Sequence, residues 1–130
     1  MPTSKPPRRV PANRAGSDGN PMRNLVLLGL PADESDAVLK KLVFVELPTK
    51  FVLLQPAQPI KFVYFINGGL ASVLHMMTDG KSVEVGLAGR EGFVGVPLVV
   101  GLSTSAMRVI IQVKGSAYRM TSKDFVEILP

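Results

Sequence analysis

Hydrophobic and polar residues alternate along most of the chain after Leu42, with the period of two that is typical of β-strands. This pattern predicts strands rich in Val, Ile and aromatic residues. The predicted strands are 43–47, 51–54, 61–66, 69–77, 81–87, 106–113 and 116–120. In strand 81–87, Val83, Val85 and Leu87 share one face while Ser82 and Glu84 share the other. We therefore expect this strand to be half buried.

Pairs of turn-forming residues separate several of these strands. Asn67-Gly68 and Asp79-Gly80 predict two-residue hairpins, because both central positions of a type I′ turn need a positive φ. Lys114-Gly115 is a weaker signal of the same kind. Many short strands at this spacing are typical of a small antiparallel barrel or roll.

Helical patterns lie on both sides of the predicted strands. Residues 24–31 read as a short apolar turn that Gly29 and Pro31 end. Residues 32–42 predict a helix with its acidic residues in the first turn and its lysines in the last, as the helix dipole favours. A final short helix is predicted to begin near residues 121–125. The roll is therefore expected to carry a helix at each end.

The first 22 residues differ from the rest in composition and charge. Residues 1–23 contain five prolines, no periodic pattern, and five basic residues against one acidic residue, a net charge of +4. Residues 24–130 carry the remaining +1 of the total of +5. We expect residues 1–22 to form a disordered basic tail and residues 23–130 to form one domain. The tail is either an arm that touches phosphates or acidic lipids, or a solvated leader without a partner.

The residue types exclude several classes of function. The 130-residue chain has no cysteine and one histidine, His75. Iron–sulfur clusters held by cysteine, thiolate nucleophiles and metal sites with several histidines are therefore excluded, and a cupin-type enzyme is disfavoured. We expect no catalytic residues, no metal and no cofactor. No apolar run approaches the ~20 residues of a membrane span and no secretory signal is found, so we expect a cytoplasmic protein.

Glycine is concentrated in one segment of the chain. Gly86, Gly89, Gly92 and Gly95 fall within ten residues. Glycine lets backbone N–H groups approach a ligand closely, and successive N–H groups can form a nest for an anion. The same glycines could instead serve bulges and barrel corners. The segment is not a Walker A loop, because no Gly-Lys-Ser/Thr follows.

The order of several motifs closely resembles the sensory N-terminal domain of the catabolite activator/FNR (Crp/Fnr) family of bacterial transcription regulators. The motifs are Asn24-Leu25 to Leu30-Pro31, Val63-Tyr64-Phe65, Asp79-Gly80 to Gly86, Gly89-Arg90 to Pro97, and Val109 to Val113. The resemblance covers about residues 24–128. It implies a mainly β fold, an antiparallel, jelly-roll-like β-roll of the cyclic-nucleotide-binding type with short flanking helices. It also implies a phosphate-binding cassette at residues 89–108.

The cassette departs from the pattern of the members that bind cyclic AMP. Those members place a Glu after Phe-hydrophobic-Gly, where it bonds the ribose hydroxyl, and this chain has Val96. They also carry Arg-Ser/Thr-Ala, whose Arg neutralises the phosphate. An ungapped match places Ala106 there, and Arg108 is the nearby arginine. Losing one charged hydrogen bond costs about 1.5–3 kcal/mol, so we expect cyclic AMP to bind very weakly or not at all. The candidate ligand-binding residues are Gly89, Arg90, Glu91, Gly92, Phe93, Val94, Gly95, Val96, Ala106 and Arg108.

The resemblance leaves two interpretations of function. The first is an effector-sensing domain of a Crp/Fnr-type regulator, truncated before the helix-turn-helix, with an unknown small-molecule effector. The second is a ligand-free structural or protein-interaction domain whose vestigial pocket is filled by Val96 and its neighbours. In both, we expect no specific DNA binding by this chain alone and no membrane partner. Dimerisation is compatible with both, although the family's long dimer helix is absent after residues 122–129.

Overall fold

The computed structural model of the chain describes residues 9–11 and 21–129, which fold into an antiparallel β-roll with short helices. Its strands are β1 (Arg9–Pro11), β2 (Val43–Leu47), β3 (Val52–Leu54), β4 (Phe62–Met76), β5 (Ser82–Ala88), β6 (Phe93–Val94) and β7 (Met107–Thr121). Its helices are α1 (Leu25–Leu28), α2 (Ala32–Leu39), a 3-10 helix (Val96–Val100) and α3 (Ser122–Ile128). The fold class expected from the sequence is confirmed.

Two long strands form the centre of the sheet. The strand order is β1-β2-β7-β4-β5, with β3 also paired to β7 and β6 also paired to β4. β4 and β7 pair from Phe62 opposite Thr121 to His75 opposite Met107. The half of this pair nearest the helices holds the tightest core, where Val63 and Tyr118 are fully buried. The cassette strand β6 pairs with this half of β4, at Tyr64 and Phe65, and this pairing positions the site.

Two of the three predicted hairpins are wrong, because their glycines lie inside β4 and β7. Gly68 is paired with Ser116, and the register shifts on both sides of it. A Cβ atom on Gly115 would collide with the carbonyl group of Gly68, and Gly69 has a φ of 85°. Glycine is used here for the close approach of two bent strands and not for a chain reversal. The predicted strands 61–66 and 69–77 therefore merge into β4, and strands 106–113 and 116–120 merge into β7.

The hairpin predicted at Asp79-Gly80 is confirmed, but its turn type differs. The N–H of Met77 donates to the carbonyl of Lys81 at 2.7 Å, and the N–H of Gly80 donates to the carbonyl of Met77 at 3.0 Å. Gly80 has a φ of 88°, whereas the positive φ values of described non-glycine residues fall at Lys50 and Ala57. The connection is thus a three-residue loop with one left-handed glycine, not a type I′ turn.

The prediction that β5 is half buried is wrong. Val83, Val85 and Leu87 are 50%, 55% and 51% exposed. β5 is the last strand in the sheet order, and among the described strands it pairs with β4 alone. Val85 sits at a bulge, since Gly86 is opposite Val73 while Glu84 is opposite Leu74. Alternation correctly predicts a strand here, but burial depends on what covers the strand, and this hairpin extends beyond the core.

A polar side chain caps the N-terminus of α1, and another caps that of α3. Asn24 caps α1 by accepting hydrogen bonds from the N–H groups of Val26 and Leu27. Thr121 caps α3, because its hydroxyl accepts from the N–H of Asp124 at 3.1 Å. Helix α2 ends at Leu39, three residues before the predicted end at 42. Each of these helices contributes one residue to the core: Leu27, Val38 and Phe125.

Part of the predicted tail has structure. Arg9–Pro11 pairs with residues 43–45 of β2. The carbonyl of Pro21 accepts a hydrogen bond from the side-chain amide of Asn67 at 3.1 Å, and Met22 packs against the core. At these positions the structure differs from the expectation of disorder over residues 1–22. Residues 1–8 and 12–20 lie outside the described residues, so the disorder expected there stays a prediction.

Candidate ligand pocket and cassette

The first part of the predicted cassette is a tight turn between β5 and β6. The N–H of Gly92 donates to the carbonyl of Gly89 at 3.1 Å. The Oε1 atom of Glu91 accepts from the N–H of Gly89 at 3.2 Å, so this carboxylate is engaged within its own turn. The side chains of Arg90 and Glu91 are exposed. None of residues 89–92 lines the cavity described below.

A buried asparagine holds this turn against the roll, although it is not among the predicted site residues. Asn24 has 0% exposure. Its Nδ2 donates to the carbonyl of Ile66 at 2.7 Å and to the carbonyl of Gly92 at 2.8 Å, while its Oδ1 caps α1. One side chain thus joins α1, β4 and the cassette turn. The signal for it in the sequence is an N-cap residue directly before an apolar helical turn.

The second part of the cassette is a short strand followed by a short helix. Phe93 and Val94 form β6 and pair with Phe65 and Tyr64 of β4. Gly95 then takes a φ of 131°, and a Cβ atom there would lie 2.9 Å from a methyl carbon of Val63. The 3-10 helix follows directly. The short helix that the resemblance implies after Phe93-Val94-Gly95 is therefore present.

A cavity of about 260 Å³ lies between the cassette and the strands of the roll. Apart from one serine, the residues that line it carry apolar side chains or are glycine. From the strands it is lined by Leu54, Val73, Ala88, Met107 and Val109, and from the cassette by Phe93, Val94, Gly95, Val96, Pro97 and Ser105. Four of the ten predicted ligand-binding residues, Phe93, Val94, Gly95 and Val96, thus meet at one cavity.

The structure does not bring Ala106 and Arg108 to this cavity. Side chains alternate along β7, and Met107 and Val109 line the cavity. Arg108 therefore lies on the opposite face, paired with Leu74 of β4. Its Nε atom is buried and has no hydrogen-bond partner among the described residues. Ala106 is exposed at the start of the strand.

Ser105 is a cavity residue that was not predicted from the sequence. It is 8% exposed, and its Oγ accepts a hydrogen bond from the N–H of Met107 at 2.9 Å. Thr104-Ser105-Ala106 matches the last two positions of the Arg-Ser/Thr-Ala pattern, with threonine in the place of arginine. The ungapped match does not find Ser105, because it places Ala106 at the arginine position. Aligning Thr104 with that arginine requires a cassette two residues shorter than in the cyclic AMP pattern.

A second, larger cavity lies on the other side of Phe93. It is a groove of about 650 Å³ that runs between the helices, with Phe65, Phe93, Val99 and Phe125 among its apolar lining and with Asp33, Glu34 and Glu127 also lining it. The ring of Phe93 is 5.6 Å from that of Phe65 and 5.7 Å from that of Phe125. Phe93 thus belongs to the walls of both cavities and to one aromatic cluster.

The buried hydroxyl of Tyr64 lies outside both cavities. Burial raises the pKa of Tyr64 above its ordinary value of 10.0, and the positive charge and hydrogen bond of Arg119 partly offset this effect. Arg119 donates from Nη1 to the hydroxyl of Tyr64 at 3.4 Å, and its guanidinium lies 3.9 Å from the centre of the Phe62 ring. This cluster stabilises the fold at the β4–β7 pairing and is not part of the site.

The described residues offer neither a metal cluster nor a membrane-spanning helix. Residues 9–11 and 21–129 contain no group of three or more His, Cys, Asp and Glu side chains arranged to hold a metal ion. None of the helices in the described part of the chain combines the length and hydropathy needed to cross a bilayer.

Solved structures with the same architecture identify the fold. The regulatory subunit of a cAMP-independent protein kinase A from Trypanosoma brucei, a mutant bound to cAMP in its A site, matches with a TM-score of 0.72 and 18% identity, over 82% of this chain and 40% of that chain. A cyclic nucleotide-binding-like protein from Brucella abortus matches with a TM-score of 0.64 and 15% identity, over 80% of this chain and 89% of that chain. This chain has the cyclic-nucleotide-binding β-roll fold.

A bacterial sensor domain shares this cyclic-nucleotide-binding β-roll. The sensor domain of the transcriptional regulator DNR from Pseudomonas aeruginosa matches with a TM-score of 0.66 and 11% identity, over 76% of this chain and 67% of that chain. The chain spans about two fifths (40%) of the length of the kinase regulatory subunit. No protein-family model and no curated protein matches the sequence.

Proposed function

We propose that this cyclic-nucleotide-binding β-roll is the effector-sensing domain of a Crp/Fnr-type transcription regulator and that its effector is not cyclic AMP. The observation that carries the proposal is the cavity of about 260 Å³ between the cassette and the strands. The likeness to the DNR sensor domain supports a regulatory role. The order of sequence motifs supports the Crp/Fnr type in particular.

The position of the cavity suits a sensor. A ligand in it touches β4, β5 and β7 through Val73, Ala88 and Met107, and touches the cassette through Phe93 and Val96. Phe93 is also a wall of the groove between the helices. A bound molecule therefore contacts an aromatic cluster that reaches α3, and occupancy of the cavity can alter the packing of the helices.

The lining of the cavity supports the exclusion of cyclic AMP. Val96 is 55% exposed at the cavity and offers an isopropyl group where a ribose hydroxyl needs a carboxylate. Thr104 stands where the pattern has arginine, and Arg108 lies on the opposite face of β7. A phosphate that leaves water without a charged partner loses much of its solvation free energy. Cyclic AMP therefore lacks both polar anchors in this site.

A thermal-shift screen with cyclic nucleotides and common metabolites tests the sensing function. A ligand that binds only the folded state raises the melting temperature. We expect a stabilising compound for the wild type and for Ala37→Phe, which alters the groove, but not for Ala88→Phe, which fills the cavity. Compounds that stabilise all three proteins equally, or none of them, would contradict a sensing function for this cavity.

A second candidate function is a ligand-free interaction domain. The observation that favours it is the exposure of apolar side chains along the cassette, with Val99 at 49%, Val100 at 71% and Leu102 at 57%. Under this candidate the screen gives no ligand. Sedimentation would instead show concentration-dependent association that Val100→Lys abolishes, because a charge does not transfer favourably into an apolar contact.

Three further properties belong to the same proposal: a cytoplasmic location, no enzymatic activity, and no sequence-specific DNA binding by this chain alone. The net charge of residues 24–130 is only +1, so attraction to DNA comes from the basic residues before them. Such binding should fall steeply as salt rises. A sequence-selective gel shift at physiological salt would contradict the last property.

A further inference from the structure

The cavity beside the cassette is built for a different kind of molecule from the one that the fold's name suggests. We propose that it binds a small neutral aromatic compound with one hydrogen-bond acceptor, and that it discriminates against anions. The proposal rests on the sensing function above and adds the chemical class of the effector. It follows from the donors, the charges and the shape of the lining.

Ser105 carries the one polar side chain among the residues that line the cavity. Ser105 Oγ already accepts from the N–H of Met107, which leaves its own O–H proton to donate to a ligand. Pro97 has no N–H, and the N–H of Leu98 donates to the carbonyl of Gly95 at 3.0 Å. The first turn of the 3-10 helix therefore lacks the successive free N–H groups of an anion nest. One hydroxyl donor suits one carbonyl, ether or ring-nitrogen acceptor.

The arginines of the segment lie outside the cavity. Arg108 is on the opposite face of β7, and Arg90 is exposed on the turn between β5 and β6. An anion would therefore be desolvated against carbon atoms with no cation to compensate, whereas a neutral molecule has little solvation to lose and gains from burial. The lining itself creates the preference for a neutral ligand.

Size and wall chemistry favour an aromatic ring. The volume of about 260 Å³ lies just below the ~300–1,000 Å³ range of typical ligand pockets, so it fits one ring system with a short substituent. Phe93 offers a ring and Met107 a polarisable thioether, and both pack well against aromatic faces. Branched apolar side chains such as Val73 and Val109 form the rest of the wall and offer no polar group to a ligand.

Binding of benzamide and benzoate to the full chain tests the proposal, since the two molecules have the same size and differ in charge. Saturation-transfer and amide-shift NMR would give the two affinities, and adenosine and cyclic AMP would serve as a second neutral and anionic pair. We expect benzamide to bind at least tenfold more tightly than benzoate, with shifts at Val94 and Met107. We expect Ala88→Phe to abolish these shifts and Ala37→Phe, in the groove, to leave them unchanged.

A pair of lysine variants checks the charge argument independently of cavity filling. Val96 lines the cavity, whereas Val100 lies on the same 3-10 helix outside the lining and is more exposed. We expect Val96→Lys to raise benzoate affinity and lower benzamide affinity, and Val100→Lys to change neither. If benzoate or cyclic AMP binds the wild-type cavity as tightly as its neutral partner, the proposed ligand class is wrong and the sensing function stands. If Ala88→Phe abolishes the binding of no molecule in either pair and of no compound in the metabolite screen, both the proposed ligand class and the sensing function are wrong.

Discussion

The side-chain amide of Asn24 donates to the carbonyl oxygen of Gly92 at 2.8 Å, across 68 positions of sequence. This bond fixes the start of the cassette to the first helix. The same amide group also donates to the carbonyl of Ile66, so both of its hydrogens are used. The geometry of the candidate site therefore depends on a residue that does not touch the ligand cavity.

Replacing Asn24 by alanine is expected to lower the free energy of unfolding by about 3 kcal/mol. The change leaves a buried carbonyl, that of Ile66, and a partly buried one, that of Gly92, without their donor and removes the cap of α1, and each loss alone costs about 1–2 kcal/mol. The melting temperature should fall by roughly 10 °C. Thr121→Ala is the matched control, because it removes the cap of α3 and a single exposed bond. A fall no larger than that of the control would show that Asn24 is only a cap.

Gly95→Ala tests the backbone conformation of the cassette. Gly95 has a φ of 131°, and a Cβ atom there would lie 2.9 Å from a methyl carbon of Val63. We expect a loss of about 2–3 kcal/mol, because both the strained conformation and the collision must be accommodated. Gly92→Ala is the control, since a Cβ atom at Gly92 would meet nothing within 4 Å and the φ of this residue is not in the positive range. Equal denaturation midpoints for the two variants would contradict this account.

Two deletions separate the tail from the domain. Removing residues 1–20 should change the melting temperature by no more than a few degrees, since among the described strands it takes away only the three-residue β1 and its pairing with β2. Removing residues 1–23 should lower it clearly further. That deletion also removes the packing of Met22 and the 2.6 Å hydrogen bond from the N–H of Arg23 to Asn67. A large effect of the shorter deletion would show that the tail packs on the domain.

Much of the fold was predictable because it depends on local alternation and capping. The boundaries predicted for β2, residues 43–47, are those of the structure, and β3 and β5 agree to within one residue. The hairpin predicted at Asn67-Gly68 is wrong because both residues lie inside β4, where Gly68 closely approaches Gly115 of β7. No local pattern contains that contact. The prediction that β5 is half buried is wrong for a similar reason, since the alternation of residue types does not show which strand lies at the edge of the sheet.

The candidate site was predictable where its motif is local. Phe93-Val94-Gly95 forms a short strand and a positive-φ bend that leads into a short helix. The resemblance located the short helix, whereas residues 93–94 were not among the predicted strands. The end of the cassette depends on loop length, which an ungapped match cannot measure. Matching Ser105 to the pattern requires knowing that it faces the cavity while Ala106 does not. That information comes from the pairing of β7 with its neighbours.

The cassette can be tested by restoring the two polar anchors that the cyclic AMP pattern requires. We expect Val96→Glu with Thr104→Arg to bind cyclic AMP measurably in titration calorimetry, and the wild type not to do so. Either single change should give less, since each adds one charge without its partner to an apolar site. Restoring one charged hydrogen bond is worth about 1.5–3 kcal/mol, so two should raise affinity by more than roughly a hundredfold.

The matched control is Val96→Glu with Ala106→Arg, which follows the ungapped alignment. Thr104 and Ala106 are both exposed and outside the cavity lining, on either side of the lining residue Ser105. They differ in their place in the motif, since the alignment through Ser105 puts Thr104, and not Ala106, where the pattern has arginine. The control should therefore gain no more affinity than Val96→Glu alone, while its melting temperature reports whether it folds. If the control binds cyclic AMP and the Thr104 variant does not, the alignment through Ser105 is wrong. If the wild type binds cyclic AMP at micromolar concentration, a cation must reach the phosphate, and Arg108 would have to move from the face of β7 opposite the cavity to do so.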